Sequence, residues 1–495
     1  MTRSIQVKTS FTRSLVSTAE GCDLGRSTID TLSDDVLLCI FDSYRQEWGW
    51  TQSLGMWPWG DLIQVCRRWR RIAFGCPHYL KLYPSCRSKA DVQAALDIWP
   101  TLPLRIVASL STEVACRGNI ISALEHRDRI VGITLTEFKH SQLKECISLM
   151  QEPFPVLTSL YLMADEETML VIPDTFLGGS APLLQRICLC GIWFPGLPKL
   201  LASTCDLVYL KLEGFPMTGE GHISPDAMTT CLLVLTKLQS LTIFSNFPQW
   251  TSYPHPTDQR PPSSAHTVLP ALVYLWFEGP HGYLEDIVAR VDGPLLNEGR
   301  FEFTDEPTFD TPWVPQFIRR TKVFKSLDGV QVHFSGEHLV AVFRSSIGPA
   351  VFSLSFWRPG ILEQVAIMER VCAQWLPLGP HVELLRLNDN HSYFGFEQGE
   401  LEESTPLWLG LLRRFTTVQT LRLCGMTIVS YVAHTLGELE GESATAVLPA
   451  LHTIELSARP GFLPDPSKTL RLLGPFLAAR EEWEHPVVVN VGSES

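Results

Sequence analysis

The sequence predicts an α/β chain (α+β overall) in which a short N-terminal helical module precedes a long, irregular solenoid of strand-plus-helix units around a curved parallel sheet. Three observations predict this. The chain has 495 residues, more than one compact core fills. Apolar residues make up 45% and charged residues 19%, so most of it has enough side chain to bury. A six-residue apolar motif recurs along most of its length.

The first 27 residues carry Arg3, Lys8 and Arg13 among many hydroxyl side chains, with no acid before Glu20, and read as a solvated tail. At Ser33 a helix begins. The hydroxyl is a natural cap, Asp34 and Asp35 occupy the first turn where carboxylates suit the positive end of the helix dipole, and Leu37, Ile40, Phe41 and Tyr44 follow at helical spacing. After a tryptophan-rich insert, Trp48 to Trp59, a second helical stretch sets Leu62, Val65, Trp69 and Ile72 along one stripe, flanked by Arg67, Arg68, Arg70 and Arg71. Two short amphipathic helices need each other and a partner to bury both stripes. The arginines read as the solvated flank of a helix, because the formal net charge of -13 opposes a phosphate backbone.

The stretches "IDTLSDDVLLCIFDSY" and "DLIQVCRRWRRIAFGCPHYL" resemble the two halves of an F-box, assigned here to residues 28–85 with an insert at 45–60. The resemblance covers about fifty residues. It implies docking on a Skp-type adaptor and, through it, a cullin scaffold, with adaptor contacts carried over to Leu32, Val36, Leu37, Ile40, Phe41, Leu62, Val65 and Trp69. Several of these also serve the internal core of a helical hairpin. Two departures stand out: Ser33 replaces the family's usual proline, and the insert separates the helices. The insert and "ALDIWPTLPLRI" at 95–106 resemble a large family of fungal F-box-like proteins.

Beyond a connecting segment at 86–125, residues 126–490 carry the repeated motif. It starts at Ile130, Leu157, Leu184, Leu207, Leu238, Leu272, Leu296, Leu327, Val351, Val382, Val418 and Leu451, with a mean spacing of about 29 residues, which resembles a degenerate leucine-rich repeat. Helix-like stretches such as Tyr283 to Val291 and Leu362 to Trp375 lie between copies, and Asn246 to Thr267 reads as a protruding loop. Glycines stand just past four copies, at Gly191, Gly214, Gly279 and Gly425, while the asparagine usual after such strands is missing.

Alternation puts Tyr161, Arg186, Tyr209, Lys211, Tyr274, Trp276, Arg300, Arg386 and Arg422 on the outward face, as candidates for contact with a target protein. Counting these side chains alone predicts a locally cationic surface suited to an acidic or phosphorylated partner.

Catalytic motifs are missing: no G-x-S-x-G, no G-x-x-x-x-G-K, no G-x-G-x-x-G after a strand and no H-E-x-x-H. His381 and His391, with Glu383 and Asp389, have no metal-ligand spacing. Thirteen cysteines, among them Cys39, Cys188 and Cys231 in apolar segments, suit a reducing compartment, and no apolar run reaches membrane-spanning length. The expectation is an intracellular, cytoplasmic or nuclear, non-catalytic substrate receptor of a ubiquitin ligase, using no cofactor, metal, nucleic acid or membrane. The alternative is a repeat scaffold acting outside ubiquitylation.

Overall fold

A computed structural model describes residues 29–47, 60–75, 96, 102–109, 115–164, 170–214, 222–245, 266–307, 309, 312–346, 348–375, 382–389, 398–458 and 466–493. The chain divides into two compact units, residues 1–81 and 82–495.

In the first unit, helices α1 (Asp34–Glu47), α2 (Gly60–Val65) and α3 (Arg67–Gly75) follow a single 3-10 turn at Ile29–Thr31. The expected cap forms: the Ser33 hydroxyl accepts from the Val36 amide at 3.3 Å. The second predicted helix is two helices, broken at Cys66, whose carbonyl accepts from the Arg70 amide at 3.1 Å. Leu37, Phe41, Leu62 and Ile72 form the small core, with the Phe41 and Trp69 rings 4.8 Å apart.

The second unit is an α/β unit built on one 15-stranded, mostly parallel sheet. Its strands, with four short ones outside the sheet, are β1 (Leu104–Ser109), β2 (Ile130–Phe138), β3 (Ser159–Ala164), β4 (Leu170–Val171), β5 (Arg186–Cys190), β6 (Ile192–Trp193), β7 (Tyr209–Glu213), β8 (Ser240–Phe244), β9 (Thr267–Val268), β10 (Tyr274–Gly279), β11 (Val291–Asp292), β12 (Glu298–Phe303), β13 (Gly329–Phe334), β14 (His338–Arg344), β15 (Val351–Trp357), β16 (Leu384–Asp389), β17 (Thr420–Cys424), β18 (Thr453–Ala458) and β19 (Val488–Ser493). Every copy of the motif found in the sequence supplies one strand of the large sheet. The sequence reading missed β1, β14 and β19.

Strand order is β1-β2-β3-β5-β7-β8-β10-β12-β15-β14-β13-β16-β17-β18-β19. The expectation of an all-parallel sheet is corrected at its middle, where β14 runs antiparallel to both β13 and β15. The reason is chain length. Only residues 335–337 join β13 to β14, whereas a parallel return needs a crossover of about a dozen residues or more, so the chain must turn back. Thus β15, not β13, pairs with β12, and β13 pairs with β16.

One face of the sheet is the core. Paired positions such as Leu135, Leu162, Leu189, Leu212, Ile243, Phe277, Phe301 and Leu354 form a continuous apolar row. Helices follow the strands as expected, with His281–Val288 and Ile361–Arg370 close to the predicted stretches. Of the predicted loop, 246–265 lies outside the described residues and Thr267 enters the short strand β9.

Carboxylates cap two helix starts from neighbouring elements. Asp389 accepts from the Thr427 and Ile428 amides at 2.8 and 3.1 Å, and Glu285 from Trp313 and Val314 at 3.0 and 3.1 Å. Gly425 lies beside the first of these caps with φ of 99°, and a Cβ there would run into the Asp389 carboxylate. His381 and His391 lie outside the described residues, and their neighbour Asp389 has this capping task instead.

Candidate binding surfaces

In the helical unit, burial divides the eight residues tied to adaptor docking. Leu37 and Phe41 are fully buried and Leu62 nearly so, which makes them core. Leu32 and Trp69 are half-buried. Val36, Ile40 and Val65 remain 44%, 41% and 59% exposed. Val36 and Ile40 stand one turn apart on α1, so they share a stripe beside the buried pair Leu37 and Phe41. Val65, read from the sequence as part of the buried stripe, leaves it because α2 ends there and the helix restarts beyond Cys66. Cys39, also read as part of an apolar segment, is exposed.

The arginine cluster takes a local role. Arg68 bridges Asp34 at 2.7 Å and donates to the Leu32 carbonyl at 2.5 Å, tying α3 to the start of α1. It holds the module's opening segment in place.

In the sheet unit, all nine residues tied to target contact lie on the face opposite the core. Tyr161, Cys188, Lys211, Thr242, Trp276 and Arg300 occupy paired positions across six adjacent strands. The row continues through Ser353, Val342 and Gln331 to Arg386 and Arg422. Arg186, Tyr209 and Tyr274 stand one row away on the same face. Arg186 is exposed and the other eight are half-buried.

The expected cationic surface is corrected by carboxylates on that same face. Lys211 pairs with Glu213 at 2.6 Å, Arg300 with Glu298 at 2.5 Å, and Arg422 with Glu455. Burial alone would lower the Lys211 pKa, but the hydrogen bond and charge of Glu213 outweigh it and the ammonium is held more firmly. Arg386 donates to the Asn388 side chain at 3.2 Å. Alternation carried the signal for three of these partners, since Glu213, Glu298 and Asn388 sit two residues from their cations and therefore share their face, while Glu455 faces Arg422 from the neighbouring strand.

Aromatic rings organise the central stretch. Phe244 and Trp276 meet edge to face at 4.5 Å, Arg300 lies 5.2 Å from the Trp276 ring centre, and the Trp276 indole donates to Glu302 at 3.0 Å. Beside them, burial followed by the charges of Glu302 and Glu213 pushes Glu278 up to about 7. Further along, the Cys188 and Cys190 sulfurs are 3.6 Å apart and the Cys190 thiol donates to Glu213 at 3.3 Å. The hydrogen bond to Cys188, then burial, holds Cys190 far above the ordinary thiol range. Burial foremost raises the Tyr161, Tyr209 and Tyr274 phenols too. The Cys190 thiol and the three phenols are therefore protonated at neutral pH.

A recess of about 220 Å³ lies off this face, lined by Phe309, Pro312, Pro315, Gln316, Arg319, Gln374 and Trp375. Among the described residues, no group of three or more His, Cys, Asp and Glu side chains is placed to share a metal ion, and no helix is long and apolar enough to cross a membrane. No family model matches the chain, and a search of curated proteins returns no similar sequence.

Proposed function

We propose that the protein is the non-catalytic substrate-recognition subunit of a Skp-cullin-F-box ubiquitin ligase, with residues 28–85 as the F-box and the repeat region as a solenoid that binds a target protein. The observation that carries this reading is the exposed apolar set Val36, Ile40 and Val65 beside the buried core of Leu37, Phe41, Leu62 and Ile72. Apolar surface left uncovered beside a small core marks a place where another protein packs. The F-box resemblance says which: the C-terminal helices of a Skp-type adaptor. The adaptor-facing set is accordingly Val36, Ile40 and Val65 with Leu32 and Trp69 at its margin, while Leu37, Phe41 and Leu62 support it from beneath.

Target contact falls to the sheet face. Tyr161, Tyr209, Tyr274 and Trp276 supply rigid amphipathic area, and Lys211, Arg300 and Arg422 are already paired, so recognition rests on aromatic packing and hydrogen bonding more than on net positive charge. Holding adaptor and target at once raises the target's local concentration at the ubiquitin-conjugating enzyme, and the chemistry belongs to the partners. The test is co-expression with a Skp-type adaptor. The wild-type chain is expected to co-purify with it and the double variant Val36→Asp, Ile40→Asp to lose it while keeping its circular dichroism; equal recovery of both would overturn the reading.

A further inference from the structure

The last strand of the sheet offers a self-complementary edge, and we propose that a second copy of this chain pairs with it antiparallel, β19 to β19 about a two-fold axis at Asn490. Three features of the strand and its surroundings support this pairing.

The first is the edge itself. Strand β19 pairs with β18 in unbroken register from Val488 to Ser493, and among the described residues no strand covers its other side. Val488 donates its amide to His452, which directs the backbone groups of Val488, Asn490 and Gly492 toward β18 and those of Val489 and Val491 outward. Natural edges are usually blunted by lysine, proline or a bulge, yet β19 reads Val-Val-Asn-Val-Gly-Ser and has none of these. Val488 and Val491 are 59% and 47% exposed.

The second observation is the symmetry of those residues. Centring an antiparallel pair on Asn490 sets Val489 of one copy opposite Val491 of the other, and both have outward backbone groups. Each of the two Val489/Val491 couples then exchanges a full pair of backbone hydrogen bonds. The two Asn490 residues meet at the non-hydrogen-bonded position between them, with Cα atoms about 4.5 Å apart, where their amides can bond to each other. An isologous contact requires a surface that complements itself in this way.

Charge is the third. The helix Pro466–Glu482 connects β18 to the parallel strand β19, so it runs antiparallel to both. Exposed Lys468 and Arg471 therefore lie level with the end of β19, and exposed Glu481, Glu482 and Glu484 with its beginning. A two-fold axis at Asn490 brings the basic end of each copy to the acidic end of the other and keeps like charges apart by more than a Debye length of roughly 8 Å.

The experiment uses the full chain. Sedimentation over a concentration series is expected to show a monomer–dimer equilibrium for the wild type, weakened about tenfold or more by Val491→Lys, which adds an edge lysine in place of an apolar contact. Val489→Pro removes an amide that the β18 ladder does not use and is expected to do the same. Should either variant fold poorly, Asn490→Cys decides: mild oxidation should link it into a reducible dimer, because facing Cα atoms about 4.5 Å apart lie within disulfide reach. Val488→Cys should not link, since its two copies would stand about four residues apart along the strand, beyond that reach. A chain that stays monomeric at about 100 μM, where a contact of micromolar affinity would be mostly dimer, overturns the proposal. So does an Asn490→Cys dimer yield no higher than that of Val488→Cys.

Discussion

The helical unit and the sheet unit handle the same problem, side chains without a place in the core, in opposite ways. In the helices, Val36, Ile40 and Val65 stay exposed beside a core of Leu37, Phe41, Leu62 and Ile72. On the sheet, cations and rings that looked like free binding groups already hold one another: Lys211 with Glu213, Arg300 with Glu298, and Trp276 with Glu302. The first surface has something to gain from being covered, at about 25 cal/mol for each Å² of apolar area removed from water. The second gives up existing contacts whenever a partner competes for them, so it favours selective contacts over tight ones.

The largest expected effect breaks this contrast at its base. Phe41→Ala removes a fully buried ring that packs on Trp69 and should destabilise the helical unit by about 3–5 kcal/mol. Hydrogen exchange should show lost protection across α1 and α3 with the sheet amides unchanged; uniform loss in both units would merge the two regions into one. A smaller effect falls within the sheet unit. Glu285 is 3% exposed and caps the helix Trp313–Arg320, so Glu285→Ala strands two amides and should lower stability by about 1–3 kcal/mol in denaturant unfolding. Gly425→Ala should cost about 1–3 kcal/mol, through a left-handed φ of 99° and displacement of the Asp389 cap.

The smallest effect is a pH dependence. Burial and neighbouring carboxylates place the Glu278 pKa at about 7 against an ordinary 4.5. Between those values the folded chain keeps a proton that the unfolded chain has released, so this group's contribution to stability falls as pH rises through the window. Thermal melting at pH 5 and pH 8 should show a smaller loss for Glu278→Gln than for wild type. An identical loss would mean that Glu278 is solvated like a surface carboxylate.

Local periodicity made much of this molecule legible. The apolar motif located the strands of the large sheet from β2 to β18 apart from β14, because a side chain's face depends only on its position along its own strand. It could not give strand order, which depends on pairing between distant segments; the clue was the short connection at 335–337, with no room for a crossover. "HLVAVFR" alternates as clearly as any copy but falls outside the spacing of the repeat. On the sheet face, the aromatics and arginines were found and their carboxylate partners passed over, although the same alternation marks Glu213 and Glu298. On α1, helical spacing groups Ile40 with Leu37 and Phe41, the F-box resemblance adds Val36, and only the packing of three short helices separates the exposed pair Val36 and Ile40 from the buried one.

That separation is also the most direct test of the account. Calorimetric titration of the full chain with a purified Skp-type adaptor should give binding with a negative heat-capacity change, as burial of apolar surface requires. Binding should weaken at least about a hundredfold in Val36→Asp, Ile40→Asp, a pair of substitutions that leaves the core of Leu37 and Phe41 in place. Binding of equal strength by the double variant, or no binding by the wild-type chain, would contradict the account.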